Sequence, residues 1–274
     1  MRLTLELALA RQAAARPTGA AYSAEAAQFF ARATAVTAAE DRDRYATLID
    51  ALVAAGVWAK LDVLHVYAAP DSVSARVNLV KAGHTASVFN TPVFTAGRGY
   101  EGSGLSAYIR TNFTPSTQGV AFTRDSAHAL VWNLRNRTGA LPPILGATDN
   151  ATRETSIYPY YTNGKTYARV NNASDGGIDG VKSDGCFIAN RTSATARQLY
   201  FDGTEAFGDY VDSASTDPVA LNVYVLAMNS AGSPAFFATD EVAAVSFGGG
   251  LTGPEVAAYD AALRAYLTST GALS

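Results

Sequence analysis

A chain of 274 residues with 48% hydrophobic and only 16% charged residues can bury one sizeable core, which makes disorder untenable and a second domain unnecessary. The formal net charge of -3, with no run of Lys or Arg, excludes the electrostatic footprint of a nucleic-acid binder. A single cysteine, Cys186, excludes an internal disulfide, and with no basic neighbour to favour thiolate it reads as a buried thiol.

The opening MRLTLELALA has some apolar character, but Glu6 interrupts it and Arg11 follows too soon for a signal peptide, so it is expected to be retained. The Ala-rich residues 1–36 are split by Pro17 and Gly19, and Ser23 is a candidate N-cap for a short helix carrying Phe29, Phe30 and Ala33. That helix is too small to make its own core and must dock on the rest of the chain or on a partner. We read 1–36 as an anchoring or oligomerisation segment and 37–274 as one β-sandwich.

Thr37 and Glu40 form the T-x-x-E pattern of a capping box, after which Tyr45, Leu48, Ile49, Leu52 and Val53 recur at helical spacing until Gly56. LDVLHVYAA follows, with Leu61, Val63, His65 and Tyr67 on one face and Leu64, Val66 and Ala68 on the other. Both faces are apolar, which predicts a central strand covered by the opposing sheet on one side and a helix on the other. Further strands are expected in SVFN, PVFTA, SAYIRTNF and HALVWNLR. Hairpins are expected at Asn163-Gly164, between TSIYPYYT and KTYARV, and at Asp202-Gly203, between RQLYF and TEAF, because these dipeptides tolerate positive φ at both turn positions. LNVYVLAMN and AAVSFG continue the β pattern. At the end Thr252 and Glu255 repeat the capping box, Pro254 sits in the first turn, and Val256, Tyr259, Leu263, Tyr266 and Leu267 form a second stripe. Strands bracketed by two helices exclude a doubly wound α/β fold. No segment approaches the roughly 18 uninterrupted apolar residues of a membrane helix, so no membrane insertion is expected.

Three stretches carry a family resemblance: LIDALVAAGVWAKLDVLHVYAA, FTAGRGYEGSGLSAYIRTNFTPS, and the tail from VLAMNSAGSP to LTSTGA. Together they resemble the concanavalin A-like, laminin-G-like proteins encoded by tailed bacteriophages, prophages and gene transfer agents, over roughly residues 25–272. The resemblance implies a mainly β, concanavalin A-like jelly-roll sandwich of two antiparallel sheets, with an N-terminal helical segment and a C-terminal helix closing one end or edge. It also implies a place on the virion surface as a tail fibre, head spike or decoration, after synthesis in the bacterial cytoplasm. Other virion proteins are the implied partners, host-surface polysaccharide an implied ligand, and a homo-oligomer the implied state.

The run Gly97-Arg98-Gly99-Tyr100-Glu101-Gly102 is a literal G-x-G-x-x-G, but a strand follows it rather than a helix, so it reads as a glycine-rich β-turn. Sandwich glycosidases need two carboxylates about 5 to 9 Å apart. Asp41 and Asp43 fall instead in a charged helical turn, and Asp240 and Glu241 are neighbours that would point to opposite faces. His65, His84 and His128 lack metal-ligand spacing. Asp175, Asp179 and Asp184, among the glycines of SDGGIDGVKSDG, belong to a turn-rich loop; a calcium site there is the alternative, and no other cofactor is expected. Tyr158, Tyr160, Tyr161 and Asn163 cluster at the first hairpin, where tyrosines either pack across strands or stack on a sugar while Asn fixes its hydroxyls. The expectation is a structural virion protein, not an enzyme, with host-glycan binding as its recognition function; the alternatives are a polysaccharide-degrading enzyme on the same fold and a purely architectural decoration protein.

Overall fold

The computed structural model describes residues 21–137, 139, 142–173, 177–180, 182–206 and 214–274. Two sheets face each other, as expected. The first runs β13 (Thr204–Glu205), β12 (Arg197–Phe201), β11 (Gly185–Arg191), β6 (Ala127–Asn133), β17 (Glu241–Gly248), β4 (Gly99–Glu101) and β3 (Val93–Thr95), with β1 (Leu61–Val66) also paired to β17. The second runs β10 (Ile178–Asp179), β9 (Lys165–Val170), β8 (Glu154–Tyr158), β7 (Leu145–Thr148), β14 (Tyr224–Val225), β5 (Tyr108–Arg110) and β2 (Ser87–Phe89). A hairpin of β15 (Met228–Ser230) and β16 (Ser233–Ala235) joins it through a parallel pairing of β15 with β7, and the other pairings among described residues are antiparallel.

The alternation of each strand builds two apolar layers. Val63, Val131, Phe187, Val245 and Phe247 of the first sheet meet Ile109, Leu145, Ile157, Ala168 and Val225 of the second. On the other face of the first sheet, Leu64, Val66, Leu130, Trp132 and Ile188 are covered by three helices. These are α1 (Ala24–Arg32), α2 (Ala39–Ala54) and α4 (Gly253–Ser269). The first sheet is therefore buried on both sides, with every residue of β1, β6, β11 and β17 inaccessible. On the outer face of the second sheet Tyr108 and Tyr224 are buried with Ala227 against Phe89 and Phe237, and the open part of the face lies beside them over β7 and β8.

The helices are specified unequally. In α4, Thr252 and Glu255 make the full reciprocal box, with Thr252 N–H donating to Glu255 Oε2 at 2.7 Å. The matching box at Thr37 and Glu40 does not form: Ala38 occupies the N-cap of α2 and makes no side-chain bond, and Glu40 pairs with Arg44 one turn on. Gly56, at φ +74°, ends the helix with Val57 N–H reaching back to Leu52 O. Helix α4 lies across the face of the first sheet rather than closing an end or edge, because its whole stripe, from Val256 to Leu267, is needed to cover Leu130, Trp132 and Ile188.

Residues 24–36 fall inside the segment read as an anchor, yet they pack into the same core. Phe29 is fully buried, with its ring 4.8 Å from that of Tyr45, and Arg32 donates to Leu79 O at 2.7 Å. The described part of the segment thus docks on its own sandwich. Phe29→Ala is expected to cost about 3 kcal/mol in urea unfolding; a loss below about 0.5 kcal/mol, typical of a surface change, would show that α1 is an appendage.

Two local details depart from the sequence reading, and two agree with it. A bulge at Asp62, between the pairs Leu61↔Gly248 and Val63↔Phe247, turns Leu61 to the helix side. The 163–164 hairpin forms, but only Gly164 has positive φ, and Gly164 N–H bonds Tyr161 O in a three-residue loop. At 202–203 both Asp202 and Gly203 have positive φ, the two-residue turn expected there. The G-x-G-x-x-G run is, as read, a turn and strand: a Cβ on Gly99 would come within 2.1 Å of Val242 O, so this glycine lets β4 lie against β17.

Candidate functional site on the outer sheet face

On the outer face of the second sheet the residues repeat at i, i+2: Tyr108 and Arg110 on β5, Glu154, Ser156 and Tyr158 on β8, Tyr167 and Arg169 on β9. The register aligns one from each strand into a row. Ser87 opposes Arg110, Arg110 opposes Tyr224, Tyr224 opposes Gly146, Gly146 opposes Ser156, and Ser156 opposes Arg169. A band of hydroxyls, phenols and guanidinium groups therefore crosses five strand boundaries over an apolar core.

An open depression of about 320 Å³ interrupts this band, lined by Thr148, Asn150, Ala151, Glu154, Tyr158, Ala173, Met228 and Phe236. Glu154 is nearly buried in it; its Oε1 accepts from Ser156 Oγ and, at 2.9 Å, from Arg169 Nη1. The Arg169 guanidinium lies 5.5 Å over the Tyr158 ring and 5.2 Å over that of Tyr167, which fixes its plane. Burial, helped by the Glu154 charge, pushes the Tyr158 phenol up, so it stays a neutral hydroxyl. Phe236 stands at the rim, 63% exposed and at φ +52°, a conformation that a bulky residue adopts only under strain.

Of the four hairpin residues singled out from the sequence, three come together. Tyr158 and Tyr161 meet edge to face at 5.3 Å, Tyr161 meets Tyr167 at 5.6 Å, and Asn163 Nδ2 donates to Tyr167 OH at 2.6 Å. Tyr160 leaves them and packs beside Gly164 and Gly180. Of the three aspartates, Asp175 lies outside the described residues. Asp179 faces Lys165 at 3.5 Å and Asp184 faces Lys182 at 3.9 Å, and among the described residues no group of three or more His, Cys, Asp or Glu is arranged to hold a metal ion. His65 and His128 are buried in the first sheet, and Cys186 is a buried thiol whose pKa burial pushes up. Asp240 pairs with Arg137 at 2.6 Å and Glu241 with Arg98 at 2.7 Å, away from the depression.

Arg110, Glu154, Arg169 and Phe236 were not singled out from sequence. The signal for the first three was the polar and aromatic i, i+2 alternation in YIR, ETSIY and KTYARV; for Phe236 there was none beyond a paired Phe.

No protein-family model and no curated protein matches the chain. In structure it is similar to Trypanosoma rangeli sialidase in complex with sialic acid, at 15% identity and a TM-score of 0.50, over 75% of this chain and 33% of that one. It is also similar to a mutant of that sialidase displaying trans-sialidase activity, at 16% identity and a TM-score of 0.49, over 76% and 34%. A further similarity is to domain 4 of AbnA, a GH43 extracellular arabinanase from Geobacillus stearothermophilus, in complex with arabinotriose, at 14% identity and a TM-score of 0.44, over 73% and 98%. The chain spans about a third of the length of the sialidase chains it matches. At such identities the likeness is one of fold. It nonetheless corrects the expectation that the protein is not an enzyme: the Trypanosoma rangeli sialidase chain, an enzyme, carries a similar sandwich, and the exclusion of a reaction does not stand.

Proposed function

We propose that the protein recognises polysaccharide on the outer face of its second sheet, with the depression beneath Phe236 as its principal sugar subsite. The observation that carries this reading is the exposed, strained Phe236 ring standing over a polar floor of Thr148, Asn150 and Glu154. An aromatic face stacks on the C–H face of a pyranose while amide, hydroxyl and carboxylate groups fix its ring hydroxyls. The sialidase with sialic acid and the arabinanase domain with arabinotriose are sugar-handling proteins and support the same reading. The tailed-phage resemblance of the sequence supports a setting on a phage or gene-transfer-agent particle facing host-cell polysaccharide.

Phe236→Gly separates recognition from folding. Glycine adopts φ +52° without strain, so melting temperature should hold or rise, while affinity for a bound oligosaccharide, measured by calorimetry, should fall at least about tenfold. Unchanged affinity would remove the depression from the binding face. A second reading, polysaccharide cleavage at the same place, rests on Glu154, a nearly buried carboxylate in the depression. Chromatography of products released from host polysaccharide distinguishes the two: cleavage requires products from the wild type and their loss in Glu154→Gln.

A further inference from the structure

We infer that the polysaccharide is acidic, and that Arg110 receives its anionic group. This rests on the glycan-face reading above and adds the charge of the ligand. Arg110 and Arg169 occupy the same cross-sheet row, but only Arg169 is neutralised, by Glu154. Among the described residues no carboxylate pairs with Arg110. Its Nη2 reaches Tyr224 OH at 3.5 Å, the long end of a hydrogen bond, and its Nε is buried without a partner. The buried Nε is beyond a ligand's reach, so what Arg110 offers is a guanidinium charge, met by no carboxylate among the described residues, that a ligand's anion can neutralise through the terminal Nη groups.

The surroundings hold this donor set in place. The guanidinium lies 5.0 Å over the Phe89 ring and 5.7 Å over that of Tyr224. Tyr108 stacks flat on Phe89 at 4.8 Å and packs against Tyr224 at the same separation. Burial pushes the Tyr108 phenol up, so this neighbour offers a hydroxyl and no competing negative charge. A guanidinium fixed between rings presents its fork at little entropic cost, and the fork matches the oxygens of a carboxylate or a sulfate. Arg110 opposes Tyr224, which opposes Gly146, and Gly146 lies against Met228 of the depression. Two strand spacings are about 10 Å, so an oligosaccharide running over Phe237, which packs on the buried Tyr108 and Tyr224, spans from Arg110 to the Phe236 subsite.

The test is calorimetry on the full chain with three probe sets: uronate-containing oligosaccharides, sulfated oligosaccharides, and the carboxyl-reduced or desulfated counterpart of each. Acidic probes should bind the wild type about tenfold or more tightly than their neutral counterparts, and added salt should narrow the gap. Arg110→Gln should erase the preference, bringing acidic and neutral probes to the same affinity, and Phe236→Gly should still weaken both. Arg110→Lys, which keeps a charged stem between the rings but not the fork, should retain part of it and serves where the Gln variant does not fold. The acidic arm that carries the preference identifies carboxylate or sulfate. Equal binding of acidic and neutral probes, unaltered in the Arg110 variants, would overturn the acidic assignment and leave glycan recognition standing. Failure of all probes to bind would overturn both.

Discussion

Lowering the pH from 7 to 5 is expected to remove about 4 kcal/mol of folding stability through two histidines alone. His65 and His128 are fully buried, and burial depresses both to a pKa of about 4 from the ordinary 6.5. Each ring is wired as a neutral imidazole. His65 Nε2–H donates to His84 O at 2.7 Å, and its Nδ1 is buried with no partner, so a second proton there would be a donor with nothing to receive it. His128 Nδ1–H donates to Gly249 O at 2.7 Å while Nε2 accepts from Ser246 Oγ at 3.0 Å. Between pH 6.5 and 4 the unfolded chain binds two protons that the folded chain does not. Stability is therefore complete above the unfolded pKa and falls as the solution is acidified. Asp240 and Asp260, pushed up by burial, act in the opposite sense, so the clean comparison is between the wild type and one variant. His128→Asn, whose amide can still donate toward the Gly249 carbonyl, should be less stable at pH 7 yet lose about 2 kcal/mol less between pH 7 and pH 5 in urea titrations. An unchanged slope would show that His128 is not held neutral by the fold.

The fold was legible wherever one residue's neighbours in sequence decide its environment. LDVLHVYAA reads as a strand buried on both faces because its own alternation is apolar twice over, and Thr252 and Glu255 read as a cap because both partners of the bond lie in one turn. Legibility failed where two local partners competed or a distant residue decided. Glu40 bonds Arg44, one turn on, instead of closing the box, and Leu61 changes face because Asp62 is drawn into a bulge by a loop some sixty residues on. The site was legible only in fragments for the same reason. Tyr158, Tyr161 and Asn163 share one hairpin and were found together; Arg110, Gly146 and Glu154 are set on one face by the strand order β5-β14-β7-β8, and Phe236 is carried to the depression by the β15-β16 hairpin, neither of which a local pattern encodes. The missing carboxylate pair was read as a missing reaction, but pairs of that kind can come from separate strands, so spacing along one strand could not carry so broad an exclusion.

Asp62→Ala is expected to cost about 4 kcal/mol, and its cause can be separated from the salt bridge it also breaks. The carboxylate is 1% exposed at the bulge of β1 and gathers the turn that follows α3 (Pro115–Gln118): Oδ2 accepts from Ala121 N–H at 3.0 Å and Phe122 N–H at 2.8 Å, and both oxygens accept from Val120 N–H at 3.1 Å. Lys81 Nζ adds a bond at 2.9 Å to Oδ1. Successive backbone N–H groups converging on one acceptor form an anion nest, and here the anion is the chain's own side chain. With alanine the converging donors lose their only side-chain acceptor, and Phe122, which seats against Phe113 in the inter-sheet core, loses the tether that places it. Asp62→Asn keeps the shape but sets an amide N–H against donors, so it should cost nearly as much. Lys81→Ala removes only the ion pair, whose lysine is 36% exposed and screened by water, and should cost less than about 1 kcal/mol. Urea unfolding of the three variants decides between the two causes. Equal losses in Lys81→Ala and Asp62→Ala would mean that the charge pair, and not the nest, is what Asp62 contributes.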